Sequence, residues 1–368
     1  MNRWYQISNA DDIPSPALLF YTDRIEENIR RMIRIAGGVE RLRPHVKTHK
    51  SADVVKLHLA QGITKFKCAT IAEAEMVASC GAAEVLLAYQ PVGPNVPRLC
   101  ELIRRMPQTR FATVVDDEGA LRTLSEIASR KKVKVEVLLD VDCGQRRTGI
   151  GFRARALELY KLICSLPGLN AGGLHAYDGH IHDKDVKARA AAHHEAFMPV
   201  VLLRGLITEP DLPCPRIVTG GTPTFPFCAQ WPDVECSPGT CVLWDWGYST
   251  ILPDLDFLHA AVLLTRVVSK PTANRLCLDL GHKAVASEMP HPRVHFLDLP
   301  DANPVAHNEE HLVLETPRAN EFPVGAVLYG IPWHVCPTVA LHAEAMAVKD
   351  GRADAHWSIA ARARRLSI

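Results

Sequence analysis

Arg43-Pro44-His45-Val46-Lys47-Thr48-His49-Lys50 crowds five basic side chains into eight residues between two helical patterns. As a solvated cationic patch it would suit an acidic partner. Against that, Leu42 and Val46 alternate with charged residues at strand period, and Pro44 biases Arg43 towards an extended backbone. So read, the stretch is a strand whose end carries Lys47. A lysine packed among other cations has its charged form disfavoured, which makes an amine nucleophilic near neutral pH. Arg43, Lys50 and the neighbouring histidines are the expected crowding groups.

Working outward, the segment 16–21 reads as a buried strand, and Asp23 as the cap of an amphipathic helix over 25–36 that Gly37-Gly38 stops. Downstream, a helix over 51–61 ends at Gly62. Strands near 65–70, 84–89, 110–115, 134–141, 172–177 and 216–219 then alternate with helices over 71–79, 96–105, 118–129, 153–166 and 184–206. Counted from Ala17, eight strands alternate with helices, which is the arithmetic of a (β/α)8 TIM barrel spanning 16–240. An open doubly wound sheet is the competing fold. It is disfavoured because no GxGxxG follows the first strand.

From about Gly239 the texture changes to short apolar runs broken by Gly, Pro and Asp. Strands over 242–244, 260–268, 275–280, 311–315, 327–328 and 343–348 predict a mostly antiparallel β domain, assigned 241–368 together with 1–15.

With 42 Lys plus Arg against 41 Asp plus Glu in 368 residues, the formal charge is +1. No whole-protein field points to nucleic acid or an anionic membrane, so a small-molecule partner is expected. Eleven cysteines without a CxxC pair, in a chain large enough to need no stapling, predict a reducing, cytoplasmic compartment. The N-terminus lacks a signal-like apolar core, and no run reaches the ~18 apolar residues of a membrane span.

In such a barrel, chemistry gathers at the C-terminal ends of strands. The segment 140–150 places Asp140, Asp142, Arg146 and Arg147 after an apolar strand, either as a solvated loop of paired charges or as a ligand-facing turn. His175, Tyr177, His180 and His182 follow the next strand and suit either a metal or a set of hydrogen-bonding groups. Thr219-Gly-Gly-Thr222 and Ser237-Pro-Gly-Thr240 have the glycine amides and hydroxyls that a phosphate takes. His334 and Cys336 lie two apart, on one face if extended. They are either a buried cysteine beside a surface histidine or an open metal pair.

Taken in order, PHVKTHK, GQRRTGI, HAYDGH, GGTPT, SPGT with Asp245, DLGHKA at 279–284, NEEH at 308–311 and WHVCP resemble the D-threonine aldolase and D-serine dehydratase family. These pyridoxal 5'-phosphate enzymes share the alanine racemase N-terminal barrel, the fold type III architecture. The resemblance implies that Lys47 is the Schiff-base lysine and that Gly220, Gly221, Thr222, Gly239 and Thr240 bind phosphate. It implies Arg147 near the cofactor or the substrate carboxylate, Tyr177 near the ring, and His334 with Cys336 on zinc or manganese. His45, His180 and His311 are candidate bases.

The implied reaction is cleavage of a D-β-hydroxy-α-amino acid such as D-threonine to glycine and an aldehyde. The alternative is dehydration of D-serine or D-3-hydroxyaspartate to an α-keto acid and ammonia. Racemisation would need a second acid/base that no residue identifies, and a non-catalytic cofactor-binding protein would lack the β domain. The resemblance also implies a homodimer in which the β domain of one subunit closes the barrel mouth of another, with His334 and Cys336 serving the Lys47 either of a partner or of their own chain.

Overall fold

The computed structural model describes residues 3–152, 154–209 and 211–368. Seven strands lie in parallel succession: Lys65–Cys68, Glu84–Leu87, Arg110–Val115, Val135–Asp142, Leu169–Ala176, Ile217–Thr219 and Val234–Cys236. The short Ile150–Gly151 pairs off Val135–Asp142. Segment 42–45 fills the eighth place and closes the ring. Leu42 bridges Cys236 and His45 bridges Lys67, both parallel. The Arg43 N–H donates to Cys236 O, the His45 N–H to Pro238 O and the Lys67 N–H to Pro44 O, each at 2.9 Å. Pro44 brings no donor of its own, and the expected strand gives way after His45 to a 3-10 turn over Val46–Thr48.

Eight places around the ring match the expected (β/α)8 count, but their membership differs. Ala17–Tyr21 belongs to the other sheet, antiparallel to Ala261–Thr272 and parallel to Glu344–Lys349. The strand that replaces it, Val234–Cys236, is three residues long with Glu235 at its centre, too short for periodicity to show.

Helices Ala52–Ala60, Ile71–Ser79, Asn95–Arg105, Glu118–Lys131, Ala154–Ser165 and Val186–Thr208 alternate with the strands. Their starts are set by local chemistry. Thr70, Asp117 and Asp185 accept the amides of Glu73, Ala120 and Ala188 as N-caps. The helix expected from Arg153 begins at Ala154; Arg153 itself lies outside the described residues.

Period two along the strands layers the barrel interior. At the N-terminal ends sits an ion network. Arg43 pairs with Glu84 (2.7 Å) and Glu235 (2.6 Å), Lys65 with Glu235, Arg110 and Arg216 with Glu84, and Arg216 with Glu136. Burial favours the neutral form of Glu84, yet Arg43, Arg216 and Arg110 hold its carboxyl at about 2. Above it lies an apolar layer of Leu86, Ala112, Val114, Leu138 and Val218. Two residues further along the same face come Lys67, after Lys65, and Asp140, after Leu138.

The chain divides by contacts into two units, with 30–47, 55–239 and 363–368 in the barrel unit. The other unit holds the stretch up to Ile29, Thr48–Val54 and Thr240–Arg362. Its sheet runs Asn303–His307, Leu312–Glu315, Arg275–Leu278, Ala261–Thr272, Ala17–Tyr21, Glu344–Lys349, Arg352–Ser358, with Val327–Pro332 and Val294–Phe296 branching from Ala261–Thr272. Leu19, Tyr21, Val262, Leu264, Tyr329 and Met346 fill its core. The strand expected at 242–244 is not formed. Thr240–Val242 is a 3-10 turn, and Asp245 caps a helix over Trp246–Ile251 by accepting the Tyr248 N–H at 2.9 Å.

Candidate active site

In the barrel unit the strand ends converge on Tyr177, which directly follows Leu169–Ala176. The Nζ atoms of Lys47 and Lys67 each lie 5.6 Å from its ring centroid, and the Arg147 guanidinium carbon lies 5.0 Å away. Three cations around one aromatic ring repel each other and favour an anionic partner. Lys47 leaves the closing segment on the 3-10 turn, its N–H donating to His45 Nδ1 at 3.3 Å. The expected catalytic His45 therefore shapes the turn that presents Lys47. Arg43, expected beside Lys47, instead spends its charge on Glu84 and Glu235 at the opposite end of the barrel.

Lys67 is the cation that the sequence reading missed. It is 2 % exposed. Burial drives its amine down to about 7, the charge of Lys47 adds to this, and Asp178 and Asp140 oppose it. In Lys65-Phe66-Lys67-Cys68 the alternation is inverted: the lysines face the barrel interior and Phe66 faces outward against His58. A rule that sends charges to solvent places Lys67 on the wrong side.

His175 lies opposite Asp140 in register and shares a 2.6 Å hydrogen bond from Nδ1 to Oδ1. Burial keeps the imidazole below its ordinary value despite that carboxylate. The neutral ring therefore carries its proton on Nδ1, and its Nε2, buried, has no partner among the described residues. In the loop 142–149 the acids do not pair with the arginines as one reading expected. Asp142 accepts the amides of Gly144 and Arg146, and Asp116 accepts that of Gly149.

The Gly220–Thr222 turn rests on Asp178. Its Oδ1 accepts the Gly221 N–H (3.2 Å) and the Thr224 hydroxyl (2.9 Å), and its Oδ2 meets His193 Nδ1 at 2.9 Å. Asp178, His193 and Cys228 offer three buried ligand atoms within 4.8 Å. The imidazole bridges the other two, with Nδ1 on Asp178 and Nε2 3.9 Å from Cys228 Sγ, so the trio holds the turn from beneath. The Gly239 N–H donates to Thr222 Oγ1 at 3.3 Å and ties the two glycine turns together.

Gly220 has φ +81°, and a Cβ there would lie 2.5 Å from Cys228 Sγ. Gly220→Ala is therefore expected to lower stability by about 1–3 kcal/mol, read as a shift in urea midpoint.

In the β unit, His334 and Cys336 are brought together by a helix start. The segment is not extended, as one-face spacing would need. His334 is the N-cap residue of Val335–Leu341, and Asp245 Oδ2 accepts the Val335 N–H at 3.1 Å. His334 Nδ1 lies 2.6 Å from Glu288 Oε1. Burial opposes a charge on this imidazole, but hydrogen bonding with Cys336, with Asp245 and Glu288 nearby, raises it to about 9. The Cys336 thiol lies 3.3 Å from Thr48 Oγ1 and 3.7 Å from Thr240 Oγ1. Of the other candidate bases, His180 is exposed over Gly144 and His311 is exposed in the β unit.

Both sets of residues fit the groups expected of them. The barrel unit has an amine, a ring, a partnerless buried nitrogen and excess positive charge for an anionic aromatic aldehyde. The β unit has an imidazole and a thiol in hydrogen-bonding contact, a donor pair that suits a borderline divalent ion and leaves positions open.

Comparison with known proteins places the chain in a family. The alanine racemase N-terminal domain matches residues 21–241, and a putative serine dehydratase domain matches 260–348. The chain is 30 % identical to D-threonine aldolase of an Arthrobacter species, over 95 % of this chain and 93 % of that one. It is 27 % identical to D-threo-3-hydroxyaspartate dehydratase of a Delftia species, over 89 % and 92 %. The crystal structure of D-threonine aldolase from Filomicrobium marinum superimposes with a TM-score of 0.90 at 26 % identity, covering 97 % of this chain and 98 % of that one. The chain belongs to the D-threonine aldolase and D-serine dehydratase family, built on the alanine racemase N-terminal domain.

Proposed function

We propose that the protein is a pyridoxal 5'-phosphate and divalent-metal-dependent lyase that cleaves D-β-hydroxy-α-amino acids, such as D-threonine, to glycine and an aldehyde. The observation that carries this is the convergence of Lys47, Lys67 and Arg147 on Tyr177, beside the buried, partnerless Nε2 of His175. When bound, the cofactor supplies an electron sink and the metal, zinc or manganese, a Lewis acid.

Lys47 would hold the cofactor through its Nζ amine. Tyr177 and His175 would hold the cofactor's ring, and the linked turns at Gly220–Thr222 and Gly239 would hold its phosphate. Arg147 takes the α-carboxylate, which orients the amino acid. Lys67, titrating at about 7, accepts or returns a proton at Nζ near neutral pH. His334 and Cys336 would hold the metal. A homodimer acting on a small D-amino acid in the cytoplasm completes the reading.

A dehydratase reading is favoured by one observation: the second metal ligand is a thiol, which on softness grounds selects zinc. Products separate the two. Incubation with D-threonine is expected to yield glycine and acetaldehyde, whereas an α-keto acid and ammonia would replace the aldolase reading with the dehydratase one. Chelation is expected to reduce turnover at least 10-fold, with recovery on adding manganese or zinc. Turnover indifferent to chelator would remove the metal from either reaction.

A further inference from the structure

We infer that Glu288 is a positioning residue of the metal centre: its carboxylate accepts the Nδ1–H of His334 and so presents Nε2, on the Cys336 side, as the metal ligand. The inference rests on the reading that His334 and Cys336 hold a metal.

A histidine can ligate through either ring nitrogen, and the hydrogen bond made by the other nitrogen decides which. Here Nδ1 is occupied at 2.6 Å, which leaves Nε2 for the ion. Glu288 and His334 are both partly exposed, as in an ordinary surface ion pair. What sets this pair apart is how its two ends are fastened. The hydroxyl of fully buried Thr338 donates to His334 O at 2.8 Å and accepts the Ala286 N–H at 3.2 Å. One side chain thus staples the loop that carries Glu288 to the turn that carries His334. From the other flank, the Trp333 N–H donates to Arg293 O at 2.8 Å, so the loop 286–293 is anchored to the 333–334 backbone at both ends. An adventitious surface pair has no such frame.

The carboxylate has a second effect. An imidazole that donates Nδ1–H to a carboxylate becomes a more basic ligand at Nε2, so Glu288 is expected to tighten binding as well as to aim it.

The test is a titration of cofactor-free protein with cobalt(II) against a competing chelator, following the thiolate–cobalt absorbance, in the wild type, Glu288→Ala and Glu288→Gln. Glu288→Ala is expected to weaken binding about 10- to 100-fold. Glu288→Gln, whose amide oxygen still accepts the Nδ1–H, is expected to stay within about threefold of the wild type. Wild-type affinity in Glu288→Ala overturns the positioning role. An equal loss in both variants also overturns it, making Glu288 a direct ligand. His334→Ala and Cys336→Ala are measured alongside: if both bind cobalt like the wild type, the metal pair itself is misassigned and the inference falls with it. Unchanged melting temperatures keep misfolding from imitating any of these results.

Discussion

Replacing Lys47 with alanine is expected to lower turnover by about 10⁴-fold or more and to leave the purified protein without the absorbance of covalently held pyridoxal phosphate. The reason lies in the turn over Val46–Thr48. Lys47 is the one lysine that combines a place at the barrel's closing segment with a backbone amide fixed by its neighbour His45. Lys67 approaches Tyr177 as closely but sits within a strand. Borohydride reduction of the wild type followed by peptide mapping should therefore label Lys47. A chromophore retained by Lys47→Ala, or a label found on Lys67, would reverse the roles of the two amines.

The second large effect concerns Lys67 and is read in stability. Unfolded, a lysine titrates near 10.5; folded, this one titrates at about 7. At pH below 7 both states hold the proton, and folding must bury the charge at full cost. Between 7 and 10.5 the unfolded chain binds more protons than the folded one, so stability rises with pH. Above 10.5 the cost is gone. Lys67→Met is therefore expected to stabilise the cofactor-free protein by on the order of 4 kcal/mol at pH 6–7, with the gain shrinking towards pH 10–11. Urea midpoints across that range check it. A gain that did not change with pH would show that Lys67 titrates alike folded and unfolded, so that burial does not lower its amine. The same substitution should slow turnover, since a destabilising buried amine in a site is retained for what it does there.

The alternation of apolar strands with capped helices made most of the barrel legible, because parallel strands covered on one side by helices must read as apolar runs between helical patterns. The misplaced element, Ala17–Tyr21, is as apolar as any barrel strand; only its partners, Ala261–Thr272 and Glu344–Lys349, reveal its sheet, and partners are not written in a local pattern. The motif residues Lys47, Arg147, Tyr177, His334 and Cys336 were legible as types at suggestive spacings. What surrounds them was not. Lys67 was hidden because a charge on an inward face inverts the usual alternation. Glu288 was hidden because it lies far from His334 in sequence and meets it through a loop. The pairing of His334 with Cys336 came from a helix start, where spacing had suggested an extended segment.

The barrel's closing segment bears on how the site works. Neighbouring barrel strands share three or more paired positions, but the segment 42–45 is joined by a single bridge on each side of Pro44. A joint with so few ladder bonds opens locally at lower free energy than the rest of the ring. The residue two beyond that joint is Lys47, the amine proposed to hold the cofactor. The ion network at the N-terminal end, with Arg43 clamped between Glu84 and Glu235, fixes one end of the segment. The seam is therefore pinned at its base and compliant at its tip, and the joint with the fewest paired positions among the ring strands lies beside Lys47.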